Sequence, residues 1–125
     1  MNLDEAISKK VWAVVGATNR TEKFGYKIFM HLRKHGYTVY AVNPNVKGID
    51  GSPCFASLSD LPAVPEIVDF VVPEKVGLAT LDECKALGIP AVWLQPGADT
   101  PAVVEKAKAL GLDVIQDCVL VQIPK

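Results

Sequence analysis

The chain has 125 residues, half of them hydrophobic and 22% charged, with 13 lysines and arginines against 14 acidic residues. That length suits one domain with its own core, and the balanced charge weighs against a general nucleic-acid binder, which carries a basic surplus. The longest apolar runs, Val11–Val15 and Ile67–Val72, fall far short of the roughly 18–20 residues of a membrane span, and the start of the chain lacks the apolar stretch of a secretion signal.

In chain order, Asn2–Lys9 predicts a short leading helix. Val11–Val15 is an apolar run ending in Gly16. Phe24, Ile28 and Leu32 then recur every fourth residue and share a helix face, followed by Arg33-Lys34-His35, cations that suit a last turn. Thr38–Val42 is a second apolar run, ending in Asn43-Pro44. The connection Asn45–Glu66, with Gly48, Gly51, Pro53, Pro62 and Pro65, leaves room for little more than one helical turn. That turn is expected over Ser57–Leu61, with Ser57 and Asp60 spaced as a capping box. Ile67–Val72 is the third run and ends in Pro73. Val76, Leu78, Ala79, Leu81, Cys84 and Leu87 mark a second amphipathic helix. Ala91–Gln95 is the fourth run, ending in Pro96-Gly97. Thr100-Pro101 reads as a cap with proline at the first helical position, opening a third helix through Leu110. Asp113–Gln116 is the fifth run. Gly36, Gly88 and Gly111 each stop a helix one or two residues before the next run.

Short runs that are apolar on both faces read as buried parallel strands. Their alternation with helices predicts a single α/β domain over residues 1–125. The expected architecture is a three-layer α/β/α sandwich around a five-stranded, mainly parallel sheet of order 3-2-1-4-5.

In such a sheet a ligand lies beyond the carboxyl ends of the strands. That selects the loops Gly16–Lys23, Asn43–Lys47, Pro73–Glu74, Gln95–Asp99 and Asp117-Cys118. The first, Gly16-Ala17-Thr18-Asn19-Arg20-Thr21-Glu22-Lys23, joins a strand to a helix N-terminus, where N–H groups point at an anion. It is neither the G-x-G-x-x-G fingerprint nor a P-loop. Thr18 and Asn19 supply donors, and Arg20 and Lys23 supply charge for a phosphate. An NAD site would place an acid after the second strand. Here stand the neutral Asn43 and Asn45, and then Lys47, a cation that suits a phosphorylated ribose, as in NADP or coenzyme A.

Cys54, Cys84 and Cys118 include no close pair, so neither a disulfide framework nor a zinc site is expected, and the compartment predicted is a reducing cytoplasm. Cys84 reads as core and Cys54 as structural, while Cys118 sits at the carboxyl edge. His31 and His35 face one way on a helix without a third metal ligand. Glu74, Asp82, Glu83 and Glu105 read as solvated helix faces. No catalytic constellation stands out, and no metal site is expected.

Taken together, Val14-Val15-Gly16-Ala17-Thr18, Lys23, Gly25, Gly36-Tyr37, Val42-Asn43-Pro44, Ile49-Asp50-Gly51, Asp69, Val72-Pro73, Gln95-Pro96-Gly97-Ala98 and Asp117-Cys118 resemble the small stand-alone CoA-binding proteins. These in turn are similar to the N-terminal CoA-binding domain of the succinyl-CoA synthetase α-subunit. The resemblance covers essentially the whole chain. It implies a Rossmann-like sheet with coenzyme A, or an acyl-CoA, along the carboxyl edge. Gly16, Ala17, Thr18 and Asn19 would approach the nucleotide phosphates, joined by Lys23. Val42, Asn43, Pro44 and Lys47 would lie beside the adenosine and its 3′-phosphate. Val72 and Pro73 would flank the adenine or the pantetheine, Gln95 to Gly97 would form the far wall, and Cys118 would stand near the thiol end. The phosphorylated histidine and ATP-grasp domains of the synthetases are not in this sequence, which points to binding rather than ligation. The expected partner is a small CoA ligand, with no nucleic acid or membrane, and either a homo-oligomer or a synthetase partner chain. The alternatives are a minimal NAD(P)-dependent oxidoreductase and the CoA-binding subunit of a multi-chain synthetase. A β-branched residue at Gly16 is expected to block the ligand and leave the fold intact.

Overall fold

The computed structural model describes residues 1–123. Its elements are α1 (Leu3–Ser8), β1 (Val11–Val15), α2 (Phe24–Lys34), β2 (Thr38–Val42), β3 (Gly48–Ile49), β4 (Ser52–Phe55), a 3-10 turn (Leu58–Asp60), β5 (Ile67–Phe70), α3 (Glu74–Ala86), β6 (Ala91–Leu94), α4 (Pro101–Ala109), β7 (Asp113–Gln116) and α5 (Val119–Gln122). The leading helix starts where Asn2 Oδ1 accepts the Glu5 N–H at 2.8 Å, satisfying one orphan donor of the first turn. The five expected apolar runs all form strands, the third and fourth ending slightly earlier than their apolar runs do.

The sheet has seven strands, not five, in the order β3-β4-β2-β1-β5-β6-β7. Every pairing is parallel except β3 with β4. The expected order 3-2-1-4-5 is also corrected: the third apolar run, β5, pairs with β1 and not with β2. The cause lies in the stretch expected to hold little more than one turn. There Ile49 and Ser52 pair across a two-residue loop, in which Asp50 and Gly51 both take positive φ, 44° and 82°. Type I′ hairpin turns require that geometry, and Asp-Gly supplies it with little strain. The hairpin occupies the outer edge of β2, so the next parallel strand joins the sheet on the far side of β1.

Both faces of the sheet are covered. Trp12, Val14, Ile67 and Trp93 pack against Ile28, Phe29 and Leu32 of α2, with Ala6 of α1 and Val119 of α5. Ala13, Val15, Val68, Phe70, Val92 and Leu94 pack on the other face against Leu81 and Cys84 of α3 and Val103 and Ala107 of α4. The connection from β1 to β2 thus runs over one face, and those from β5 to β6 and β6 to β7 over the other. The winding reverses between β1 and β5, which opens a crevice at their carboxyl ends.

Two expected caps are replaced by tertiary contacts. The Ser57 hydroxyl donates to Asp60 Oδ2 at 3.0 Å rather than accepting a backbone N–H. The 3-10 turn is held instead by Glu83 of α3, which accepts from the N–H groups of Leu58 (3.4 Å) and Ser59 (3.3 Å). Glu83 is therefore half-buried and engaged, not part of a solvated face. The Thr100 hydroxyl likewise turns away from its own helix and donates to Glu74 Oε1 at 2.6 Å, tying α4 to α3.

Candidate functional site

The site begins at the turn leaving β1. Gly16 has φ +98°, and a Cβ there would lie 2.8 Å from the Val71 carbonyl carbon and closer still to its oxygen. Gly25, in the first turn of α2, is packed as tightly: its Cβ would fall 3.1 Å from the Gly16 carbonyl carbon, again closer to the oxygen. Two glycines therefore let the β1 turn, the end of β5 and the start of α2 touch backbone to backbone. The expectation that a side chain at Gly16 would block only the ligand is corrected, because the Cβ meets the protein first.

Around this junction the loop ends are pinned. The Gly16 N–H donates to Val42 O at 3.0 Å and the Asn43 N–H to Phe55 O at 2.8 Å. Asn43 Nδ2 donates to Ala17 O at 2.9 Å while its Oδ1 accepts the Asn45 N–H at 2.9 Å. Asn43 is thus a bracket between the first two loops, with donor and acceptor both engaged. Thr18 Oγ1 accepts the Arg20 N–H at 3.2 Å and shapes the turn. Ala17 is buried, Thr18 half-buried, and Asn19 and Lys23 exposed. The N–H groups of Phe24 and Gly25 have no partner among the described residues, as is usual for a first helical turn. Arg20 pairs with Glu22 at 3.4 Å. Lys23 and Lys47 make no ion pair among the described residues.

Three cavities lie in a row along this edge. The first, about 280 Å³, brings together Gly16, Val42, Asn43, Pro44 and Val72 from the predicted set. The second, about 260 Å³, is lined by Val72, Pro73, Gln95 and Gly97, with Val71 and Pro96. The third, about 140 Å³, lies on the α2 side between Phe24, Ile28, Val71, Gln95, Pro96 and Cys118. Val72 is shared by the first two, and Val71, Gln95 and Pro96 by the last two, so neighbouring cavities adjoin. Lys47 is exposed and lines none of them; it opens the short stretch leading into β3.

Sequence reasoning missed the far wall of the first cavity, made by Ala56, Ser57, Val76, Thr80 and Glu83. Val76, Thr80 and Glu83 stand at helical spacing on one face of α3, a signal the sequence did carry. Gly25 carried one too, since a glycine inside a helix costs about 1 kcal/mol relative to alanine and is retained for a packing reason.

The three thiols are free and differ in environment. Burial pushes the Cys84 thiol up to about 12. Burial also raises Cys54, partly offset by its hydrogen bond to Asn43 O. Cys118 is half-buried at the third cavity. One further ionisable group lies nearby. Asp69 on β5 is fully buried on the α2 face, in register with Val14 and Trp93, and neither carboxyl oxygen has a partner among the described residues. Desolvation holds its carboxyl well above the usual range.

Known proteins are similar to this chain in sequence and in fold. The chain is 34% identical over 79% of its length to an ADP-forming acetate–CoA ligase I of Archaeoglobus fulgidus. It is 33% identical over 72% of its length to the α subunit of an ADP-forming acetate–CoA ligase II of Pyrococcus furiosus. It spans only 14% and 20% of the lengths of those two proteins. Among solved structures, a hypothetical protein from Pyrococcus horikoshii superposes with a TM-score of 0.88 at 28% identity, over 95% of this chain and 84% of that one. The family described as CoA binding domain matches residues 10–124, which take in every strand, every loop of the carboxyl edge and all three cavities. No more than residues 1–9 and the last residue fall outside that match, and the chain belongs to the CoA-binding domain family.

Proposed function

We propose that this chain binds coenzyme A, free or acylated, in a Rossmann-like manner along the carboxyl edge, and that binding is its task. The observation that carries this reading is the row of three adjoining cavities along the carboxyl edge, in a chain of this family. In the proposed pose the adenosine occupies the cleft of Val42, Asn43, Pro44 and Val72. The diphosphate lies over Gly16, Ala17, Thr18 and Asn19, with Lys23 as a cation. The pantetheine runs past Val72, Pro73, Gln95 and Gly97 towards Cys118. Asn43 favours a phosphorylated ribose over NAD: it is neutral, and its amide is already engaged with Ala17 and Asn45. Lys47 is the candidate partner of the 3′-phosphate, as a point charge.

Calorimetric titration is expected to show coenzyme A binding more tightly than NAD; equal or tighter NAD binding overturns the reading. Lys47→Ala should weaken coenzyme A several-fold and leave dephospho-CoA nearly unchanged, because a pair this exposed contributes only about 0–1 kcal/mol. Lys23→Ala, at the diphosphate of both ligands, should weaken both alike. An affinity ratio that survives Lys47→Ala removes Lys47 from the 3′-phosphate.

The direction of the pantetheine has its own check. Offered the symmetrical CoA disulfide, Cys118 as thiolate should attack one sulfur and expel a CoA thiolate, leaving a mixed disulfide seen by intact mass. Cys118→Ser should abolish the adduct, since burial holds the Cys84 thiol at about 12 and also raises Cys54, and a thiol, unlike a thiolate, is not the nucleophile. An adduct that persists in Cys118→Ser places the thiol end elsewhere.

A second reading, a subunit acting with a separate ligase chain, is favoured by the match to a protein named as a subunit. Co-purification of an ATP-grasp chain with the native protein tests it.

A further inference from the structure

The cavity at the α2 end of the row is larger than the end of coenzyme A needs. It measures about 140 Å³, and an apolar cavity of about 150 Å³ admits a six-carbon ring. In the proposed pose the coenzyme's terminal sulfur passes the doorway, the walls of Val71, Gln95 and Pro96 shared with the neighbouring cavity, and comes within reach of Cys118 while leaving most of the cavity to an acyl group. Beyond the doorway lie Phe24, Ile28 and Cys118. None of these side chains is charged.

Gln95 is a second, independent observation. It is 4% exposed, and its Oε1 accepts the Val119 N–H at 3.2 Å. A backbone N–H needs an acceptor, so the amide oxygen must be the atom facing Val119. Both amide N–H donors are left without a partner among the described residues, on a side chain that lines the doorway. A thiol makes little use of such donors; a carbonyl oxygen there accepts one.

We propose that this cavity holds the acyl group of a short, uncharged aliphatic acyl-CoA, about two to six carbons long, with the Gln95 amide donating to the thioester carbonyl. The proposal rests on the coenzyme A reading above and adds the class of thioester. A dicarboxylic acyl group is disfavoured, because its free carboxylate would be buried among uncharged walls, with the nearby Lys27 ammonium outside over the Phe24 ring.

The test is a calorimetric series of coenzyme A, acetyl-, butyryl-, succinyl- and octanoyl-CoA. Affinity should rise about fourfold per buried methylene, so roughly fifteenfold from acetyl to butyryl. It should fall back at octanoyl, which overfills the space. Succinyl-CoA, with the same four-carbon chain as butyryl-CoA, should bind no tighter than coenzyme A. Gln95→Met should lower acetyl- and butyryl-CoA affinity more than that of coenzyme A. Because Gln95→Met also removes the acceptor of Val119, Phe24→Ala is the companion variant; Phe24 is 63% exposed at the mouth, and its loss should shrink the butyryl advantage in a folded protein. Butyryl-CoA binding no tighter than coenzyme A overturns the acyl site and leaves the coenzyme reading standing. Failure of all five ligands to bind overturns both.

Discussion

Gly16→Ala is expected to destabilise the protein by about 2–5 kcal/mol. Two causes add. Forcing an atom into a closed backbone contact costs about 1–3 kcal/mol. Holding an L-residue in left-handed backbone costs about 1–2 kcal/mol more. Against a total stability of about 5–15 kcal/mol that is a large fraction. Gly36→Ala separates the causes: Gly36 has φ +87° with nothing within 4 Å of the added Cβ, so it should lose only the conformational part. Gly25→Ala supplies the opposite isolation. Gly25 lies in α2, where alanine is favoured by about 1 kcal/mol, yet the Gly16 carbonyl stands in the way, so the sign should reverse and stability fall. Urea unfolding followed by circular dichroism gives all three values. If Gly16→Ala proves no worse than Gly36→Ala, β1 and β5 do not approach as described.

The second large effect has the other sign. Asp69→Val is expected to stabilise the protein at pH 7 by about 1–4 kcal/mol, because it removes a buried polar group without partners and leaves a β-branched residue in a strand. The pH dependence identifies the cause. Below about pH 4 the carboxyl is protonated in both the folded and the unfolded chain and adds no pH dependence. Above it the unfolded chain releases the proton, while the folded chain, whose carboxyl is held well above the usual range by desolvation, keeps it. The folded state then binds more protons, so stability falls as pH rises, by roughly 1.4 kcal/mol per unit, until the folded group ionises. Wild type should show this decline and Asp69→Val should lack it. A destabilised Asp69→Val would mean that an ordered water or ligand partners the carboxyl.

The limits of the sequence are instructive at particular residues. Val11–Val15 matches its strand residue for residue, because burial on both faces leaves an unbroken apolar run, and Thr38–Val42 matches too although only Ala41 and Val42 are buried. Helix stops at Gly36, Gly88 and Gly111 were equally legible, since each takes positive φ. Strand order was not: order depends on which edge of β2 is free, and β2 itself says nothing about its neighbours. The Asp50-Gly51 pair was the one local announcement of the hairpin that takes that edge. Among the residues that line the cavities, Gly16, Asn43, Val72 and Gln95 were legible because loops after parallel strands converge. The helical spacing of Thr80 and Glu83 marks a shared face, but their place at a cavity, like that of Ile28, was not legible, because helical periodicity does not say which end of a face meets a ligand. Lys47 was chosen by charge, and its exposed position leaves its role to the affinity ratio.

The hairpin of β3 and β4 bears on solubility. An unpaired border strand presents a row of free N–H and C=O groups that can recruit a strand from another molecule. The carboxyl half of β2, Ala41 and Val42, is paired to Cys54 and Phe55 instead, and the sheet then ends in β3, two residues long. Such a border offers too few groups to template a foreign strand. Its turn is also lashed to α2: the Tyr26 hydroxyl donates to Asp50 Oδ2 at 2.5 Å, and Arg33 donates to Asp50 O and Ser52 Oγ at 3.1 and 2.8 Å. The helix thereby holds the turn in place, and a copy of this chain that meets this end of the sheet finds a tethered two-residue strand rather than a long one to extend.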